Sequence, residues 1–135
     1  MNTVIAIDPG RDKCGVAVRY ADGTFCQAVI ATDTLCEWVR KAHQGNPSAQ
    51  VIMGNGTSSR EIYERICREC NVTPLVVEEY KTTELARKRY WQENPPQGLR
   101  RLLPTSMQVP PVPVDGYVAV ILAERYANQK EGDIK

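Results

Sequence analysis

Short apolar runs and turn residues alternate in the first part of the chain. Residues 4–7 (VIAI) are apolar and precede Pro9-Gly10, which predicts a buried strand that ends in a turn. Residues 14–20 and 24–31 predict two further strands, and Ala21-Asp22-Gly23 between them favours a hairpin. The chain therefore begins with three strands that we expect to pair antiparallel.

Helical and extended patterns alternate in the central part of the chain. Thr32, Asp33 and Thr34 can cap the first helix, and Ser58 with Glu61 has the spacing of a capping box at the second. In order, the elements are a helix with apolar positions Leu35, Trp38, Val39 and Ala42, a strand over 50–53, a helix ending near Cys70, a buried strand over 75–77 and a helix from Thr82 or Thr83 to about Tyr90.

The last third is proline-rich and then helical. Residues 93–113 predict an irregular insertion, residues 114–128 a final helix, and residues 131–135 a frayed tail. A three-stranded meander followed by βαβ units predicts an α/β fold with a mixed five-stranded sheet and helices on both faces. We expect one domain over residues 1–135.

Composition adds a broad class to this pattern. The chain has 135 residues, of which 42% are hydrophobic and 24% charged, and its formal net charge is +1, as in soluble globular proteins. No window approaches the roughly 20 apolar residues of a membrane span, and no secretion signal is visible. We therefore expect a cytoplasmic protein.

Five cysteines without a secretion signal favour reduced thiols over a disulfide framework. Cys67 and Cys70 have C-x-x-C spacing, but a zinc site needs a second pair or nearby histidines, and His43 is the only histidine. We interpret Cys67 and Cys70 as neighbours on one helix turn.

Basic residues are concentrated between Lys81 and Arg101, where the local charge is +4. Tyr90 and Trp91 lie among them, and such a mixture can hold a phosphate backbone. The alternative is a solvated helix face.

Acidic residues stand at three element ends. Asp8 ends the first strand, Glu78 and Glu79 end a later strand, and Asp115 begins the last helix. Such ends can converge at one edge of a sheet, and clustered carboxylates suit Mg²⁺ or Mn²⁺. The alternatives are a turn cap for Asp8, a surface acid for Glu79 and a favourable helix N-terminal charge for Asp115.

Three stretches resemble the motifs of the YqgF/RuvC-like nucleases. IAIDPGRDKCGVAV is similar to their opening signature, VVEEYKTTELA to their second motif and VDGYVAVILAERY to their closing motif. The resemblance implies an RNase H-like fold with Asp8, Glu79 and Asp115 as catalytic and metal-binding residues. Glu78, Tyr80 and Gly116 depart from the family pattern, and the lack of a second acid after Asp115 implies a weak second ion.

The resemblance implies a nuclease that uses Mg²⁺ or Mn²⁺ to cut structured nucleic acid, either Holliday-junction DNA or a ribosomal RNA precursor. A junction resolvase would be a homodimer, because it makes paired cuts. The candidate contacts to the nucleic-acid backbone are Lys13, Arg87, Lys88, Arg89, Arg100 and Arg101.

Two other functions stay open. One is a catalytically inactive RNase H-like module that binds nucleic acid or assists ribosome assembly. The other is a nucleotide hydrolase related to the actin-like ATPases, which share the RNase H-like core. Asp8-Pro9-Gly10 and the Gly54–Gly56 loop favour it, whereas those ATPases use a duplicated domain.

Overall fold

The computed structural model describes residues 3–56, 58–79, 82–95 and 114–134, with side chains described to residue 128 in the last segment. The strands are β1 Val4–Asp8, β2 Lys13–Arg19, β3 Phe25–Ala31, β4 Gln50–Gly54 and β5 Leu75–Val77. The helices are α1 Leu35–Gly45, which follows a 3-10 turn over Thr32–Thr34, α2 Ser59–Cys70, α3 Thr82–Glu93 and α4 Asp115–Ile134.

The five strands form one mixed sheet in the order β3-β2-β1-β4-β5. The β1–β2 and β2–β3 pairs are antiparallel, whereas β4 lies parallel to both β1 and β5. The predicted mixed sheet, with a meander followed by parallel strands, is therefore confirmed. The parallel pairs bring the carboxyl ends of β1, β4 and β5 to the same edge.

Alternate residues of the central strands supply two apolar cores. On one face, Ile5, Ile7 and Met53 pack with Val39 of α1 and Ile66 of α2. On the other face, the partners of the sheet are α3 and α4, and the residues include Val4, Ala6, Ile52, Ala86, Val118 and Leu122. Because both sides of β1 and β4 are covered, their apolar runs are continuous, and the predicted helices on both faces are confirmed.

Strand β5 differs from its prediction as a buried strand. The side chains of Leu75 and Val76 are 46% and 47% exposed. Among the described strands β5 pairs with β4 alone, so it lies at the edge of the sheet, which an apolar triplet does not reveal.

Helix ends also differ from the predictions. Ser58 precedes α2 with a left-handed φ of 66° and makes no capping bond through its side chain, so the predicted capping box is wrong. Thr34 before α1 likewise makes no side-chain capping bond. Helix α4 continues to Ile134, beyond the predicted end at residue 128.

Several predictions fall outside the described residues. These are the conformation of most of the 93–113 insertion and the positions of Tyr80, Arg100 and Arg101. The helices that the structure describes include none long and apolar enough to span a membrane.

Replacing Gly15 with alanine tests how closely α4 packs on the sheet. A Cβ at Gly15 would collide with the backbone carbonyl of Asp115, whereas one at Gly45, the last residue of α1, would meet no atom. We expect Gly15→Ala to lower the free energy of unfolding by about 2–3 kcal/mol. Gly45→Ala should leave it unchanged or raise it by up to about 1 kcal/mol. Urea denaturation of both variants measures this, and equal stabilities would contradict the packing.

Candidate active site

The three acids identified in the sequence meet at one edge of the sheet. Asp8 is the last residue of β1, Glu79 follows β5 by two residues, and Asp115 is the first residue of α4. Both Glu79 and Asp115 act on the ionisation of Asp8, Glu79 through a side-chain hydrogen bond and both through their charge.

Asp115 is brought to this edge by a close contact between α4 and β2. Asp8 lies opposite Gly15 in the β1–β2 register. The backbone carbonyl of Asp115 lies where a side chain at Gly15 would begin, and the Gln27 side chain covers Gly116 in the same way. A larger residue at Gly116, a departure from the family pattern, would have to displace the Gln27 side chain and press on the Ala28 carbonyl of β3.

Glu79 lies in a cradle formed by residues 54–56. A Cβ at Gly54 or at Gly56 would collide with the Glu79 carboxylate. The backbone N–H of Glu79 donates to Oδ1 of Asn55 at 3.2 Å, and its carbonyl accepts the hydroxyl of Thr82 at 2.9 Å. The Gly-Asn-Gly sequence, which predicts a tight turn or a weak phosphate loop, thus makes room for a carboxylate. The Gly-Asn-Gly sequence indicates an unusually open loop, but nothing in the sequence identifies Glu79, 23 residues after Gly56, as the residue that fills it.

Asp8 and Glu79 are held together at an electrostatic cost. The pKa of Asp8 is raised to about 8, first by burial, then by the hydrogen bond to Glu79, and then by the negative charges of Glu79 and Asp115. All four contributions act in the same direction. In addition, Oε1 of Glu79 is buried and has no hydrogen-bond partner among the residues that the structure describes. A proton or a cation shared by these two carboxylates would relieve the repulsion.

The candidate ligand atoms at this edge are carboxylate oxygens, which Mg²⁺ and Mn²⁺ prefer. Within the described ranges, no group of three or more His, Cys, Asp or Glu side chains forms a ready metal-binding cluster. This agrees with the pattern of contacts, because Asp115 influences Asp8 through charge without a hydrogen bond. Asp8 and Glu79 therefore form a hydrogen-bonded pair, and Asp115 acts on Asp8 through its charge alone.

The basic residues do not act as one group. Lys13, Arg87 and Lys88 are exposed, whereas Arg100 and Arg101 lie outside the described residues. Nη1 of Arg89 donates to both carboxylate oxygens of Glu124, at 2.9 and 3.0 Å, and its guanidinium lies over the Phe25 ring. Arg89 thus joins α3 to α4, a role that competes with its predicted contact to a phosphate backbone.

No family model matches the chain, and no curated protein matches it. Some solved structures are similar. The Aquifex aeolicus PPX-GPPA enzyme is 12% identical with a TM-score of 0.41, over 72% of this chain and 42% of that one. The ROK hexokinase from Thermus thermophilus is 12% identical with a TM-score of 0.36, over 64% and 38%. A ROK family transcriptional regulator, a homolog of the E. coli MLC protein, is 12% identical with a TM-score of 0.38, over 65% and 30%. The chain spans less than half the length of each, and at this likeness no activity transfers.

The predicted membership of the YqgF/RuvC-like nucleases is wrong. No family model supports it, and the similar structures are a Ppx/GppA phosphatase and ROK family proteins. The predicted nuclease activity on Holliday-junction DNA or ribosomal RNA precursors rested on that membership and is wrong as well. The alternative of a nucleic-acid or ribosome-assembly binder does not fit these structures either. Part of the motif resemblance has a packing explanation, because a Cβ at Gly15 would collide with the backbone of α4 where the helix contacts the sheet.

The Asp8 pKa predicts how stability changes with pH in metal-free buffer. Because the folded protein retains the Asp8 proton up to about pH 8 and the unfolded chain loses it near 3.8, stability should fall as the pH rises between these values. Asp8→Asn should remove most of this slope and raise the free energy of unfolding at pH 8 by about 1–3 kcal/mol.

Chemical denaturation across this pH range measures the effect, with Asp33→Asn as the control because Asp33 is exposed on the 3-10 turn. Equal pH slopes for Asp8→Asn and the unchanged protein would contradict the raised pKa.

Proposed function

We propose that this chain is a metal-dependent enzyme that hydrolyses or transfers a phosphoryl group of a phosphoanhydride or phosphomonoester. The observation that carries the proposal is the hydrogen bond between the Asp8 and Glu79 carboxyl groups, with one Glu79 oxygen buried and without a partner in the described part of the chain. This pair, and not the likeness to solved structures, supports it.

Asp8 and Glu79 are the residues that would hold a divalent cation. Asp8 hydrogen-bonds to Glu79 and is influenced by the charge of Asp115, so both other acids act on it. A bound Mg²⁺ or Mn²⁺ would supply phosphate binding and activation of water. Glu79 would present its unpartnered Oε1, and Asp115 would add negative charge that favours a cation at this edge.

The Asp8–Glu79 pair is expected to hold a different number of protons without and with a bound cation. Without a cation, Asp8 retains its proton at neutral pH and can donate it to Glu79. A divalent cation would favour the ionised form of both carboxyl groups, so its binding would release the Asp8 proton. Cation binding should therefore tighten as the pH rises toward 8.

The finer fold assignment is also a proposal. An antiparallel meander followed by parallel strands, in the order β3-β2-β1-β4-β5, supports an RNase H-like core. The actin-like nucleotide hydrolases share that core, and Pro9-Gly10 and the Gly54–Gly56 loop both follow strands whose ends lie at the edge with Asp8. Among phosphoanhydrides, a nucleoside triphosphate is the first substrate to test.

The test measures phosphate release from ATP, inorganic polyphosphate and p-nitrophenyl phosphate with Mg²⁺ or Mn²⁺. We expect release from at least one substrate to require the cation and to fall about 100-fold or more in Asp8→Asn and Glu79→Gln. Calorimetric titration of Mn²⁺ should show weakened binding in the same two variants.

The matched controls are Asp33→Asn and Glu64→Gln, which remove an exposed carboxylate of each type. Both controls should retain the binding and turnover of the unchanged protein. Full turnover in Asp8→Asn, or no Mn²⁺ binding by the folded unchanged protein, would overturn the proposal.

A further inference from the structure

Two cysteines meet where α1 packs against α2, on the face of the sheet opposite α4. Sγ of Cys70 lies 3.3 Å from the backbone carbonyl oxygen of Cys36, which is 34 residues away in sequence. Cys36 is 5% exposed, and Cys70 is partly exposed. Arg65 of α2 binds the 3-10 turn that precedes α1, because Nη1 donates to the carbonyl of Thr32 at 3.3 Å and Nη2 to that of Asp33 at 3.1 Å.

The ionisation of the Cys36 thiol depends on its neighbours on α2. Both Cys70 and Glu69 raise its pKa, each through a side-chain hydrogen bond and through charge. Burial, followed by the hydrogen bond to Glu69, raises the pKa of Cys36 to about 12, so this thiol stays protonated. The same hydrogen bond is the first cause of the lowered pKa of Glu69, as expected when a thiol donates to a carboxylate.

We propose that Cys36 and Cys70 are an oxidisable pair that forms a disulfide between α1 and α2 when a peroxide reaches Cys70. Cys70 is the more accessible thiol of the two, and its sulfur already lies 3.3 Å from the backbone carbonyl oxygen of Cys36. This site is independent of the proposed phosphoryl-transfer site.

The reaction has two balanced steps. In the first, the Cys70 thiolate attacks hydrogen peroxide, which breaks the O–O bond, forms sulfenic acid and releases hydroxide. In the second, the Cys36 sulfur attacks the Cys70 sulfur, the S–O bond breaks, and water leaves. Glu69 accepts the Cys36 proton and passes it to the departing oxygen. Overall, two thiols are oxidised and one peroxide is reduced to two waters.

The other cysteines are placed less well to react with Cys70. Cys67 completes the C-x-x-C spacing, but its thiol contacts the Tyr63 hydroxyl one turn earlier on α2. Cys14 is buried, with its sulfur 3.3 Å from the Thr32 hydroxyl oxygen. Cys26 is exposed on β3.

The test treats the full chain with hydrogen peroxide, blocks remaining thiols and maps the linkage by mass spectrometry after trypsin digestion. Trypsin cleaves after Arg68 and so separates Cys67 from Cys70. A Cys26→Ser background leaves Cys36 as the one cysteine in peptide 20–40. We expect peptide 20–40 joined to peptide 69–81, with a mass two hydrogen atoms below the sum of the reduced peptides.

The cross-link should also change stability, because it closes a long loop in the unfolded chain. We expect the oxidised protein to unfold at a temperature roughly 5–10 °C higher, with full reversal by dithiothreitol. Cys67→Ser should retain both the linkage and the shift. Cys36→Ser should lose them and leave a Cys70 sulfenic acid that dimedone traps.

Glu69→Gln tests the proton acceptor separately. It should slow disulfide formation several-fold while dimedone labelling of Cys70 persists longer. Linkage of peptide 66–68 to peptide 69–81, oxidation of Cys70 without any cross-link, or no reaction with peroxide would each overturn the proposal.

Discussion

The close approach of α4 to β2 is the constraint on which the rest of the structure depends. At Gly15 the backbone of the helix lies where a side chain would begin, and at Gly116 the Gln27 side chain of β3 fills the space. This contact covers one face of the sheet with Val118 and Leu122, and it places the first residue of α4 beside the end of β1. The same packing interaction thus forms one of the two apolar cores and places Asp115 at the edge of the sheet where β1 ends.

The position of the Glu79 carboxylate at that edge also depends on glycines that leave room for it. Gly54 and Gly56 admit the Glu79 carboxylate, as Gly15 admits the backbone of Asp115. Missing side chains therefore make room for a second carboxyl group beside Asp8, and stability is lost when Asp8 ionises there, first because it is buried and then because Glu79 and Asp115 are nearby. An arrangement that is unfavourable for folding alone is what a cation-binding site requires before its cation arrives.

Much of this could be predicted from the sequence, because it depends on local patterns. Apolar runs and turn residues locate all five strands, and acids at element ends place Asp8, Glu79 and Asp115 at one edge. Contacts between distant residues could not be predicted: Arg89 with Glu124 lies 35 residues apart, and Cys36 with Cys70 lies 34 apart. The exposure of β5 could not be predicted because it depends on the order of the strands in the sheet. The motif resemblance led to a wrong family and a wrong function, because part of the shared pattern reflects packing of α4 on the sheet.

The edge position of β5 has a consequence for the site. The strand has three residues, pairs with β4 and leaves Leu75 and Val76 about half exposed, yet it carries Glu79 two residues beyond its end. Short edge strands with little burial are among the first segments to open in local unfolding. Glu79 therefore lies beside Asp8 only while β5 stays paired with β4. A ligand that binds both Asp8 and Glu79 would stabilise this pairing and slow the local unfolding of β5.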